Sequence, residues 1–138
     1  MNIKAGLISG FVATAVLSAI MVIKTMMGLM PELNAVKMLA DMMGTSMMMG
    51  WAAHFVIGTF VWGTLFALLV NKLPGGAVVS AIIFSIGAWL MMMIGPMPMA
   101  GAGLFGMNLG IMAPVATLML HVIFGVVLGL TYKKVAGA

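Results

Sequence analysis

Ala5-Gly6-Leu7-Ile8-Ser9-Gly10-Phe11-Val12-Ala13-Thr14-Ala15-Val16-Leu17-Ser18-Ala19-Ile20-Met21-Val22-Ile23 runs for 19 residues without a charged side chain. As a helix it would rise about 28 Å, close to the roughly 30 Å of a bilayer's hydrocarbon core. Three further runs of this kind follow at Met47–Val70, Ala77–Gly95 and Ile111–Tyr132. The first run has the weakly basic start of a signal peptide. No small-x-small site followed by a polar mature chain appears, so it reads as the first span.

Composition points the same way. Of 138 residues, 64% are hydrophobic and 6% are charged, whereas a soluble domain carries about 25% charged residues. A water-exposed surface cannot be assembled from such a chain, which excludes a soluble globule, a disordered tail and a coiled coil. The formal charge of +4 comes from scattered lysines with no arginine, so there is no basic patch for nucleic acid. The absence of cysteine excludes disulfides and thiolate sites. The expected fold is an all-α membrane protein with four transmembrane helices, forming a single transmembrane domain over 1–138.

Lysine placement sets the expected orientation. With four spans, both termini and the turn Asn71–Gly76 share one side, which carries Lys4, Lys72, Lys133 and Lys134 without an acid. On the other side Lys24 and Lys37 are offset by Glu32 and Asp41. The positive-inside rule therefore puts both termini in the cytoplasm. In the connector Glu32–Met43, Asn34, Lys37 and Asp41 fall on one helical face and Leu33, Val36, Leu39, Ala40 and Met43 on the other. It is expected to lie in the outer interface, apolar face down. The uncharged, glycine-rich connector Met99–Asn108 is a candidate for dipping back into protein-lined space.

A shift of 67 residues brings the chain into register with itself. Ser18 meets Ser85, Met26 meets Met93, Gly28 meets Gly95, and Met30-Pro31 meets Met97-Pro98. Further along, His54 meets His121, Gly58 meets Gly125 and Thr64 meets Thr131, with Asp41 opposite Asn108. Repeat one then covers about 5–71 and repeat two about 72–138. Each holds two spans, so the repeats are parallel and related by an axis along the membrane normal. The pairs Gly6/Gly10 and Gly125/Gly129 have the spacing of close helix contacts.

His54 and His121 are the only histidines, and both lie inside spans at matching repeat positions. Gly50, His54 and Gly58 share a helix face, as do Thr117, His121 and Gly125. A glycine one turn from each imidazole leaves room for a flat ligand, as bis-histidine haem b requires, and Thr117 would orient or crowd the ring. The bland alternative is a packing histidine bonded to a carbonyl or hydroxyl, copied by duplication. An unpaired polar group in lipid costs several kcal/mol, so each ring needs some partner.

Apart from Met1, every one of the 19 methionines falls within Met21–Met49 or Met91–Met119, at the outer ends of the spans and in the outer connectors. Thioethers and imidazoles favour Cu(I), which makes Met47, Met48, Met49, Met91, Met92 and Met93 candidate ligands beside the histidines. Methionine is also an adaptable packing residue. Lys24 is expected to snorkel to the interface, where it could meet a haem propionate.

The spans contain no acid, so paired carboxylates, a Ser/His/Asp triad and a proton relay are all missing, and an enzyme acting alone is not expected. The stretches Met26–Leu33, His54–Thr59 with Trp62-Gly63, Met97–Gly103 and His121–Gly129 resemble a family of small uncharacterised bacterial inner-membrane proteins with four spans. That resemblance implies topology and a bacterial source, and no activity. Three functional readings stay open. One is an accessory redox protein holding haem b between His54 and His121, serving a periplasmic or membrane partner. Another is periplasm-side Cu(I) binding or transfer. The third is a cofactor-free structural subunit of a larger complex or homo-oligomer.

Overall fold

The computed structural model describes residues 2–137, which are helical in most of their length and contain no strand. Four helices are long and apolar enough to cross a membrane, and we label them with the connector helix in chain order. They are α1 (Ile3–Met26), α2 (Ala35–Met43), α3 (Met47–Leu69), α4 (Gly76–Ile94) and α5 (Met112–Ala136). α1, α3, α4 and α5 are the four candidate spans, close to the runs expected from sequence.

Local signals account for the breaks. Asn2, Asn34 and Ser46 cap α1, α2 and α3, each accepting the backbone N–H three residues on. Gly44 ends α2 in the left-handed conformation at φ 64°, which a side chain would resist. After α4 the chain makes a short turn at Pro96–Met99 and a 3₁₀ segment at Leu104–Leu109. This second connector packs on the ends of α4 and α5, burying Ala102 with Met93, Met97 and Ala113.

α1 packs along α3 on one side and α5 on the other, while α4 packs along α5. Glycines make these approaches close. A β-carbon at Gly10 would lie 2.6 Å from the Gly58 carbonyl oxygen and 2.9 Å from Gly63 Cα. One at Gly129 would lie 2.6 Å from Val78 Cα. Both glycine pairs expected from sequence are thus helix contacts. Residues Ile57–Trp62 of α3 are wound as π-helix, in which positions five apart stack, so Gly58 and Gly63 both face Gly10.

At the end bearing both termini the bundle is filled. Phe66 meets Phe84 at 5.6 Å and Tyr132 at 5.2 Å between ring centroids, and Trp62 meets Phe84 at 5.8 Å. Buried hydroxyls of Ser9, Thr14 and Ser18 donate back to carbonyls of their own helix, so they need no partner across the bundle. Large apolar side chains such as Phe11, Val56, Phe60 and Leu130 point outward, the arrangement suited to hydrocarbon as solvent.

Candidate functional site

The opposite half of the bundle is not filled. There the four long helices surround a partly open cavity of about 370 Å³, with the connector helix α2 and Leu33 along its edge. Its walls are Leu17 and Met21 from α1, His54 and Trp62 from α3, Met91 and Met92 from α4, and His121 and Phe124 from α5. From α2 come Met38 and Met42. A volume of this size, apolar with a few polar groups, belongs to the range of small-molecule and cofactor sites.

The two histidines, 67 residues apart in sequence, therefore wall one space. Among the described residues, His54 Nε2 lies 3.1 Å from Ser18 Oγ, and His121 Nδ1 lies 2.7 Å from the Thr117 carbonyl oxygen. Trp51 and Phe55 stand edge-on to the His54 ring at 6.0 and 5.8 Å. Each imidazole is thus anchored through one nitrogen. Its other nitrogen is engaged by no protein hydrogen bond among the described residues.

Thr117 acts on His121 through its main chain. Its buried hydroxyl is engaged elsewhere, donating to the Ala113 carbonyl at 2.6 Å and accepting from Trp89 Nε1 at 3.0 Å. Met93 Sδ lies 3.8 Å from that hydroxyl, so Met93 is buried in the α4–α5 contact and does not line the cavity.

The glycines flanking the histidines serve close helix contacts, and Gly58 also lines the cavity. A β-carbon at Gly50 would press on the Val36 carbonyl oxygen at 2.6 Å, one at Gly58 would collide with Thr14, and one at Gly125 would reach Ser85 Oγ at 2.7 Å. The room that each glycine leaves is taken by a neighbouring helix.

Of the methionines named from sequence, Met91 and Met92 reach the cavity. Met47, Met48 and Met49 sit exposed on the first turn of α3, with Met48 80% exposed, and do not line it. Met21, Met38, Met42 and Met97 take their place on the wall, because α2 lies along the cavity's edge and brings its own methionines with it. Lys24 donates to the carbonyls of Leu29 and Met30 at 3.1 and 2.7 Å, so its ammonium caps the chain reversal after α1. Ser18 was missed as a site residue, although its coincidence with Ser85 in the 67-residue register was a visible signal. No three His, Asp or Glu side chains cluster among the described residues.

No curated protein and no solved structure matches the chain. A family model does, over residues 1–138, described as a family of unknown function (DUF6789), and the chain belongs to that family.

Proposed function

We propose that this member of the DUF6789 family is a multi-pass bacterial inner-membrane protein that holds one b-type haem between His54 and His121. The observation that carries this reading is the shared cavity: two histidines from different spans wall a space of about 370 Å³. His121 fits an axial role directly. Its Nδ1 is held by the Thr117 carbonyl, the outer-shell bond typical of a ligating imidazole, and Nε2 is left for iron. His54 fits at the cost of its Ser18 hydrogen bond, about 1 kcal/mol, which is small beside a metal–ligand bond. The group would supply one-electron transfer, with the methionines and Trp62 excluding water from its edge.

A second reading is Cu(I) binding. Six methionines share the cavity wall with the two histidines, which is a soft donor set for a monovalent ion. Purification from native membranes in mild detergent, followed by a reduced-minus-oxidised spectrum and elemental analysis, separates the readings. A sharp reduced α-band with iron near one per chain supports haem, and colourless protein with stoichiometric copper supports the second reading. Colourless, metal-free protein that brings a partner down with it would overturn both in favour of a structural subunit.

The proposal includes the tandem arrangement and the cytoplasmic termini. Supporting the repeat, Gly58 meets Thr14 and Gly125 meets Ala81, a pair of contacts related by the 67-residue shift. Because the chain has no cysteine, single replacements report topology cleanly. Thr45→Cys is expected to react with an impermeant maleimide in intact spheroplasts, and Asn71→Cys only after lysis. The reverse pattern would invert the lysine-based orientation.

A further inference from the structure

The two imidazoles are anchored through different ring nitrogens. The Thr117 carbonyl can only accept, so His121 Nδ1 carries the hydrogen and, in the neutral ring, Nε2 keeps the lone pair. Ser18 has one hydroxyl hydrogen, and it goes to the Thr14 carbonyl at 2.6 Å. Toward His54 its oxygen therefore accepts, and Nε2 at 3.1 Å is the donor. His54 is left with its lone pair on Nδ1. The rings face one cavity as opposite tautomers.

We infer that Ser18 is a positioning residue that biases which ligand the cavity takes, by holding His54 in the Nε2–H tautomer so that a planar macrocycle must first break that hydrogen bond. Nδ1 adjoins the ring carbon that carries Cβ, so a wide planar group approaching it meets the histidine's own side-chain stem. Nε2, at the far edge of the ring, has no such neighbour. A small soft ion is not subject to that steric limit at Nδ1. Ser18 thus disfavours a macrocycle by one hydrogen bond while leaving the same imidazole available to an ion.

The position 67 residues on makes the asymmetry plain. Ser85 is fully buried and has no hydrogen-bond partner among the described residues, and His121 turns to its own helix instead. One half of the bundle has the serine clamp, and the other has the serine without the clamp.

The choice between ligand classes rests on the cavity taking its ligand through these histidines. The tautomer assignment does not, so the two are tested separately. In ligand-free protein labelled with ¹⁵N-histidine, at a pH where both rings are neutral, nitrogen shifts should report Nε2–H for His54 and Nδ1–H for His121. Ser18→Ala should move His54 toward Nδ1–H, Ser18→Thr should restore it, and Ser85→Ala should move neither ring. Matching tautomers in the native chain, or a His54 signal indifferent to Ser18→Ala in folded protein, would overturn the inference. In titrations with hemin, Ser18→Ala should bind about fivefold more tightly than the native chain, with Cu(I) affinity unchanged. Weakened or equal hemin binding by a folded variant would overturn the selective role. If hemin fails to bind the native chain and Ser18→Ala alike, the haem reading falls and so does Ser18's selection against a macrocycle, while the nitrogen shifts still decide the tautomers.

Discussion

Replacing His121 by alanine is expected to abolish the bis-histidine absorption spectrum of the loaded protein and to lower hemin affinity by more than about 100-fold. Loss of an outer-shell partner alone typically costs ten- to 100-fold, and here the ligand itself is removed. His54→Ala should have the same effect on the spectrum, because six-coordinate low-spin iron needs both axial nitrogens. The two should differ in what they leave behind. His121→Ala frees only the Thr117 carbonyl, whereas His54→Ala leaves Ser18 with its hydroxyl still bonded to Thr14 and so costs little stability. Absorption spectra of both single variants test this. A low-spin spectrum surviving in each would remove the histidines from the site.

The largest structural effect is expected from Gly10→Leu. At this position a β-carbon alone would stand 2.6 Å from the Gly58 carbonyl oxygen and 2.9 Å from Gly63 Cα. Both are backbone atoms of α3, so no side chain can swing aside, and α1 and α3 must separate along their length. Overpacking of this kind costs about 1–3 kcal/mol where neighbours can yield, and here they cannot. We expect at least about 3 kcal/mol of destabilisation, visible as a lowered midpoint in denaturant titration in detergent. Gly28→Leu is the matched control. No neighbour lies within 4 Å of its β-position, although its φ of 72° favours glycine. A Gly10→Leu chain as stable as the native one would show that the α1–α3 contact is looser than described.

The apolar character was legible because it is a bulk property. Four apolar runs and few charges make the chain compatible with a multi-pass membrane protein. The amphipathic connector was legible as helix from its periodicity, although the helix spans Ala35–Met43 and Asn34 caps it instead of standing on its polar face. Lys37 and Asp41 close a 2.7 Å ion pair one turn apart. Glycine spacing showed where helices approach, Gly125 among them, but not that Gly50 and Gly58 belong to such contacts.

By itself the sequence determined the apolar character of the chain, the number of candidate spans and the pair of histidines worth following. These depend on composition and on periodicity within about four residues. The tertiary structure alone decided that His54 and His121 share one cavity, that Ser18 and Thr117 hold them by different nitrogens, and that α2 brings methionines to its edge while Met47–Met49 turn away. Those outcomes depend on how each helix is rotated about its axis. That rotation is set by contacts between residues far apart in the chain, such as Gly10 with Gly58 and Gly63 across a π-helical turn. An apolar helix in hydrocarbon is nearly uniform around its circumference, so its own sequence leaves that angle almost free.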